Sequence, residues 1–242
     1  MTNVAIVIGA RSTIGKSIIR QLADDESVDH IVAVSRVAST QEVENDYKLR
    51  YVATDYSEAS ISLICEELAC CKGSITRVII CNGVLHTKDI APEKRLEDIS
   101  AASLLEIMNI NAIIPVLWLS KIAPLLRGEK TCRVAVLSAR VGSIEDNRSG
   151  GWYAYRASKA ALNMLIKTAA IELRRRAPNV KLIAFHPGTT DTQLSKPFQR
   201  SVPDGKLFTP DYVASVLLKL LETLNPATEV EFFDWNGQPV PW

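Results

Sequence analysis

The chain has 242 residues, of which 47% are hydrophobic, and a formal net charge of +1. It is long enough for one sizeable core, and its charge balance excludes a nucleic-acid footprint or a polybasic membrane patch. Five cysteines, an odd number in a chain too long to need disulfides, favour a reduced, cytoplasmic protein. There is no basic-then-apolar leader, and polar residues interrupt the apolar stretch 104–126, so we expect no membrane partner.

Short apolar runs alternate with longer, helically periodic runs from one end of the chain to the other. Seven runs are predicted strands: 4–8, 31–34, 49–52, 78–80, 134–137, 182–185 and 230–233. Five are predicted helices: 14–23, 59–69, 101–126, 155–176 and 211–224, the third being divided in two near Pro115. This alternation predicts a single doubly wound α/β domain over 1–242, with a parallel sheet of about seven strands covered by helices on both faces. The irregular stretch 189–208 follows a strand and is a candidate lid over a substrate.

The stretch GARSTIGKS, residues 9–17, lies between the first strand and the first helix and allows two interpretations. A helix N-terminus in this position favours a phosphate group under either of them. As a P-loop it would use Lys16 and Ser17, but no convincing strand ending in a metal-binding aspartate accompanies it. As a dinucleotide-binding turn it has Gly9 and Gly15, with Thr13 in place of the middle glycine.

The end of the second predicted strand bears on which dinucleotide would bind. Ser35 and Arg36 stand about 20 residues after the turn, where NAD-binding domains carry a carboxylate. A guanidinium pairs with a 2′-phosphate instead, and Arg11 could join it. The sequence therefore predicts NADP(H) in preference to NAD(H).

The pair Tyr155 and Lys159 opens the most periodic helix and shares one of its faces. An ammonium beside a phenol favours the phenolate, so we expect the pKa of Tyr155 to be lowered toward neutral pH. Such a phenol can pass a proton to a carbonyl oxygen. Tyr153 has Ala157 four residues on and cannot do the same, whereas Trp152 could line the mouth of a substrate site.

Taken together, segments 9–15, 82–83, 111, 138–159 and 187–192 resemble the short-chain dehydrogenase/reductase family. The stretches GGWYAYRASKAALN and FFDWNGQPVPW resemble its branch of C-factor proteins and sniffer-type carbonyl reductases. The resemblance implies a Rossmann-type oxidoreductase acting on a small carbonyl or alcohol substrate. It also implies a homodimer or homotetramer built through the helices of 101–126 and 155–176.

The family's functional residues can be carried over position by position. Tyr155 would be the general acid/base, Lys159 would assist it and bind the nicotinamide ribose, and Asn111 would hold a helix kink and a water. Asp55 would bind the adenine amine, or serve as a helix cap. The implied cofactor contacts are Gly9, Arg11, Ser12, Thr13, Ile14, Gly15, Ser35, Arg36, Asp55, Tyr56, Asn82, Gly83, Tyr155, Lys159, Pro187, Gly188, Thr189 and Thr192.

One position departs from the family. Ala139 stands where the family has its catalytic serine, so Ser138 or Ser143 would have to replace that hydroxyl. Because losing one such donor typically costs about 100-fold or more in rate, a second hypothesis is a dinucleotide-binding signalling or regulatory protein with little turnover.

Overall fold

The computed structural model describes residues 2–37, 48–228 and 230–242. Its centre is a seven-stranded sheet in the order β3-β2-β1-β4-β5-β6-β9, in which every paired neighbour is parallel. The strands are β1 Val4–Ile8, β2 His30–Ser35, β3 Leu49–Ala53, β4 Ile75–Ile80, β5 Cys132–Leu137, β6 Val180–His186 and β9 Glu231–Asp234. The strand order reverses between β1 and β4, and ligands bind at such a point, beyond the carboxyl ends of the strands. The predicted fold class is confirmed.

In the described part of the chain, six helices flank the sheet: α1 Thr13–Ala23, α2 Glu58–Glu67, α3 Ala101–Met108, α4 Ile114–Leu126, α5 Tyr153–Arg176 and α6 Pro210–Thr223. Helices α2, α4 and α5 pack on one face around residues such as Trp118 and Leu162. Helices α1 and α6 pack on the other face around residues such as Ile18 and Leu217. The β-strands in the centre are buried on both sides, which explains why their sequences are apolar throughout.

The long apolar run divides at a π-helical turn, Asn109–Ile113, and Pro115 lies in the first turn of the helix that follows. The division into two helices is as predicted, but the break comes before the proline. By length and composition the 26-residue run Ala101–Leu126 could cross a bilayer, contrary to the expectation from the sequence. Here Trp118 and Ile122 face the core of the domain instead.

The stretch 189–208 is more ordered than predicted. It begins and ends with two short strands, β7 Thr189–Thr190 and β8 Leu207–Phe208, which pair in parallel with each other. A 3₁₀ helix, Lys196–Ser201, lies between them. Two-residue strands leave no periodic pattern in a sequence, so only the pairing itself identifies them.

Candidate active site

A cavity of about 590 Å³ opens at the carboxyl ends of β1, β4, β5 and β6. It collects 13 of the predicted site residues: Arg11, Ser12, Thr13, Ile14, Asn82, Gly83, Ser138, Tyr155, Lys159, Pro187, Gly188, Thr189 and Thr192. The other eight lie outside its lining: Gly9, Gly15, Ser35, Arg36, Asp55, Tyr56, Asn111 and Ser143. Most of the site residues predicted from motifs that are far apart in sequence therefore line one cavity.

The turn after β1 is shaped to receive a phosphate group. Gly9 has φ +78°, and a Cβ on it would lie 3.0 Å from the carbonyl carbon of Cys81. Ser12 caps α1 by accepting a hydrogen bond from the backbone N–H of Gly15, 3.0 Å away. Gly15 is held so close to the turn that a Cβ would lie 2.7 Å from the Gly9 carbonyl oxygen. The start of α1 can thus present free N–H groups to an anion.

The P-loop alternative receives no support from this geometry. Lys16 is exposed and is not among the residues that line the cavity. Ser17 is buried, and its hydroxyl accepts from the Arg20 guanidinium at 3.4 Å. The two residues that would hold the terminal phosphates and magnesium therefore do not meet at one site.

The residues that follow β2 and β3 lie outside the lining of the cavity, at the same carboxyl edge of the sheet as the turn after β1; this group of residues is called the rim. Arg36 is exposed there, whereas the buried Ser35 donates its hydroxyl to the carbonyl of Val37 at 2.7 Å. Asp55 is exposed and accepts from the N–H of Ser57, the residue that caps α2. Those hydrogen bonds lower the pKa of Asp55. The cap of α2 is Ser57, so the alternative of Asp55 as the helix cap is wrong, and the role of Asp55 toward an adenine amine remains a prediction.

Tyr56 lies beside this rim with a left-handed backbone, φ 63°. Burial raises the pKa of its phenol, and a hydrogen bond to Asn82 and the charge of Arg36 oppose that rise. Tyr56, Arg36 and Asn82 come from three different strand ends, so the fold brings together three predicted cofactor residues that are far apart in sequence.

Asn111 lies in the π-helical turn and is fully buried. Its Oδ1 accepts from the N–H of Val84 at 2.7 Å, and its Nδ2 donates to the Val84 carbonyl at 2.8 Å and to the Ser158 hydroxyl at 3.0 Å. The side chain thus ties the irregular turn to the segment after β4 and to α5. The kink implied by the resemblance is present, and the water remains a prediction.

Tyr155 and Lys159 both line the cavity, one helical turn apart on α5. Burial raises the pKa of Tyr155 to about 12 and lowers the pKa of Lys159 to about 7. The expectation of a lowered phenol pKa is therefore wrong for the protein alone. Desolvation disfavours the charged form of both groups, and the Lys159 amine donates to the carbonyl of Leu137 at 2.9 Å.

Neither serine is placed to substitute for the missing catalytic hydroxyl. Ser138 lines the cavity, but its hydroxyl donates to Asn163 Oδ1 at 2.6 Å on the α5 face of the sheet. Ser143 is buried outside the cavity, where its hydroxyl donates to the carbonyl of Trp242 at 3.3 Å and accepts from the N–H of Asp146. Ala139 itself does line the cavity. Successive side chains of an extended chain point to opposite sides. The hydroxyl of Ser138, the residue before Ala139, is therefore directed at Asn163 and away from the side on which Ala139 lies.

The wall opposite α1 is formed by the turn after β6 and by the 189–208 segment. Pro187, Gly188 and Thr189 line the cavity, together with Thr192, whose hydroxyl accepts a hydrogen bond from the Ser195 N–H. Phe198 of the same segment packs on Trp152, with 4.9 Å between ring centroids, and Trp152 lies 6.3 Å edge-on from Tyr155. Trp152 is at the mouth as predicted, and an aromatic surface adjoins the phenol.

The backbone that places Trp152 is left-handed at three successive residues. The φ angles of Gly150, Gly151 and Trp152 are 63°, 65° and 54°. For a tryptophan this conformation costs on the order of 1–2 kcal/mol, so the surroundings must hold it. The Arg156 guanidinium does part of this by donating to the carbonyls of Gly150 and Gly151.

Several residues of the site escaped the sequence analysis. Glu93, buried at 4% exposure, accepts from the N–H of Ala154 at 3.2 Å, and nothing distinguishes it in sequence from the other charged residues of the stretch 88–98. His186, the last residue of β6, also lines the cavity, and burial lowers its pKa to about 4. Phe198 carries no local signal of its position against Trp152.

The lining of the cavity is suited to a dinucleotide. The start of α1 can receive a pyrophosphate, and Lys159 and the Pro187–Gly188 turn line the same cavity. Asn82 also lines it, and its Oδ1 is buried with no hydrogen-bond partner among the described residues. A buried polar atom left unpaired costs stability, and a bound polar group would satisfy it.

Comparisons with known proteins agree with this geometry. Residues 3–202 match a family model described as short chain dehydrogenase. The C-signal of Myxococcus xanthus is 37% identical over 147 residues, which span 61% of this chain and 83% of that protein. A benzil reductase of Bacillus subtilis is 23% identical over 231 residues, spanning 90% of this chain and 92% of the reductase. Two further relatives, a 1-hydroxy-2-glutathionyl-2-methyl-3-butene dehydrogenase of Rhodococcus and an oxidoreductase of Saccharomyces cerevisiae, are matched over 57% and 52% of their length.

Among solved structures, the carbonyl reductase Sniffer of D. melanogaster superimposes with a TM-score of 0.84 at 18% identity, over the whole of both chains. At that identity the likeness concerns the fold.

Proposed function

The chain belongs to the short chain dehydrogenase family, and from that premise we propose that it is an NADP(H)-dependent carbonyl reductase in which Tyr155 is the general acid. The observation that carries this proposal is that Tyr155 and Lys159 line the same cavity as Thr13 and Ile14 at the start of α1. As a member of this family it is an NAD(P)-dependent oxidoreductase acting on C=O or CH–OH groups; the cofactor preference, the acid/base and the substrate are the proposed parts.

The chemistry divides between the cofactor and this chain. When bound, the nicotinamide supplies or accepts the hydride. Tyr155, with a pKa of about 12, holds its proton at neutral pH and can donate it to a carbonyl oxygen. Lys159, with a pKa of about 7, can hold or release a proton beside it. The protonated phenol is the form that carbonyl reduction requires, whereas alcohol oxidation would require the phenolate.

The preference for NADP(H) rests on two exposed arginines. Arg36 stands at the end of β2, and Arg11 lines the cavity at the start of α1. A guanidinium can bind a phosphate through two charge-assisted hydrogen bonds, and a ribose 2′-phosphate is the group that distinguishes NADP from NAD.

The substrate that the mouth would favour is a carbonyl attached to an aromatic or bulky apolar group. Trp152 and Phe198, with their rings tilted by 58°, provide an aromatic surface next to Tyr155, and aromatic rings pack well against such side chains. The benzil reductase relative, whose name specifies an aromatic diketone, supports this substrate class.

The proposal is tested by mixing the protein with NADPH or NADH and a panel of aliphatic aldehydes, aromatic ketones and aromatic diketones, and following cofactor oxidation. We expect turnover with NADPH, fastest for the aromatic diketones. Absence of turnover across the panel would contradict the proposal.

A second candidate is a dinucleotide-binding signalling protein with little turnover. The likeness to the C-signal and the alanine at position 139 favour it. The two candidates separate in the same assay, because the signalling protein would bind NADPH without oxidising it in the presence of any carbonyl.

We also propose that two or more copies of the chain associate through the α3–α5 side. Ile113, Met164 and Ile171 expose 43%, 66% and 49% of their surfaces there, and exposed apolar residues that cluster mark interaction sites. Sedimentation of the wild type and of Met164→Glu would test this; a monomeric wild type would contradict it.

A further inference from the structure

The start of α5 lacks the side-chain cap that α1, α2, α3 and α6 carry, and unlike α4 it does not continue from a preceding helical turn. Ser12, Ser57, Ser100 and Thr209 cap α1, α2, α3 and α6 with their hydroxyls. At α5 the cap position is held by Trp152, which has a left-handed backbone and no side-chain hydrogen bond. The helix that carries Tyr155 therefore begins without a local device to fix its first turn.

Glu93 supplies that device from the segment after β4. Its carboxyl Oε2 accepts from the N–H of Ala154 at 3.2 Å, and its backbone carbonyl accepts from the N–H of Trp152 at 2.6 Å. One residue thus holds the backbone on both sides of Tyr153, directly before Tyr155. An acidic group is favoured at a helix N-terminus, where the unpaired N–H groups point outward.

The burial of Glu93 shows that its position is specific. The residue is 4% exposed, and its second carboxyl oxygen, Oε1, is buried with no hydrogen-bond partner in the part of the chain that the structure describes. Burying an acidic group with half of its hydrogen-bonding capacity unused is unfavourable. A serine at position 152 could cap the helix without that cost, but it could neither present an indole to the mouth nor connect the helix to the segment around residue 93.

We propose that Glu93 is a positioning residue for the reaction, because its carboxyl group fixes the first turn of α5 and thereby the placement of Tyr155 and Trp152. The catalytic importance of this placement rests on the proposed function. The hydrogen bond between Glu93 and the Ala154 N–H does not depend on any substrate. Loss of the carboxyl group should loosen residues 152–155 and leave the cofactor-binding start of α1 unaffected.

The experiment compares Glu93→Ala, Glu93→Gln and the control Glu97→Ala, which removes an exposed acidic residue four positions on. Hydrogen exchange of the peptide covering residues 150–158, the NADPH dissociation constant and kcat for carbonyl reduction are measured for each. For Glu93→Ala we expect exchange at the Ala154 amide to be about tenfold faster, since helix caps contribute roughly that much, kcat to fall about tenfold or more, and NADPH affinity to stay within twofold.

The conservative variant separates positioning from general destabilisation. The amide oxygen of Glu93→Gln can accept the same hydrogen bond, so we expect its exchange and kcat to lie within threefold of wild type. The inference is overturned if Glu93→Ala exchanges like wild type at residues 150–158, or if exchange accelerates equally throughout the chain. If the wild type reduces no carbonyl, the proposed function fails while the exchange data still decide the role of Glu93.

Discussion

The proposed cofactor side and the proposed substrate side of the cavity are built in different ways. On the cofactor side, the turn at 9–15 is made by backbone geometry, close glycine contacts and a cap three residues away. On the substrate side, Glu93 reaches Ala154 at the start of α5 across 61 residues, and Phe198 packs on Trp152. The comparison teaches that the cofactor side is specified locally, whereas the substrate side depends on contacts between distant segments.

The largest effect should come from Gly9→Ala on the cofactor side. The new Cβ would meet the backbone of Cys81 at 3.0 Å and of Asn82 at 3.1 Å, so the turn must move and dinucleotide binding should weaken about 100-fold or more. Gly73→Ala is the matched control, because Gly73 has φ +75° but its nearest neighbouring atom would be 3.9 Å away. Both variants should lose about 1–2 kcal/mol of stability from the left-handed backbone. Equal NADPH affinity in the two, measured by titration calorimetry, would refute a specific role of the turn.

The next effect concerns the choice of cofactor. Arg36→Ser should weaken NADPH binding about 10- to 100-fold, the value of a charged hydrogen-bonding contact, and change NADH binding less than threefold. Arg175→Ser, an exposed arginine near the end of α5, is the control. Tighter binding of NADH than NADPH by the wild type would overturn the assignment.

On the substrate side, a variant that gains activity would test the missing hydroxyl at position 139. Ala139→Ser places a hydroxyl at a buried position that lines the cavity, and an added hydrogen-bond donor to the substrate oxygen should raise kcat/KM about tenfold. Ser138→Ala is the comparison, since its hydroxyl is directed at Asn163 and its loss should leave turnover within threefold. If Ser138→Ala instead abolished turnover, Ser138 would be the catalytic serine.

The smallest effect is on stability against pH. Burial lowers the pKa of His186 to about 4 from 6.5, so the unfolded chain binds more protons than the folded one between those values. Stability should therefore fall as the pH drops from 6.5 to 4, by at most about 1.4 kcal/mol per pH unit from this group. His186→Gln should flatten that slope in urea unfolding, and an unchanged slope would show that other groups cause it.

Much of the fold was predictable because its signals are local. Apolar runs identified all seven strands of the main sheet, and the alternation of strands and helices identified its parallel arrangement. The π-helical turn was placed only approximately, because what maintains it is the bonding of Asn111 to Val84 and Ser158. The strands β7 and β8 were missed because two residues cannot show a period.

The identity of the site residues was largely predictable, but their pKa values and hydrogen-bond partners were not. The sequence motif predicted that Tyr155 and Lys159 act at one site. Their pKa values follow from burial, and the spacing of two residues along a helix does not reveal how deeply they are buried. The same holds for the serines: the sequence offers two hydroxyls near position 139, and only the packing of Asn163 and Trp242 shows what they bind.

The most direct test of the account is to compare Tyr155→Phe with Tyr153→Phe, a neighbouring phenol on the same helix. The account predicts that removing the Tyr155 hydroxyl lowers kcat with NADPH and a carbonyl substrate about 10²- to 10⁴-fold, the range for a general acid. NADPH affinity should stay within twofold, and Tyr153→Phe should behave like wild type. Turnover that persists undiminished in Tyr155→Phe would contradict the proposed mechanism.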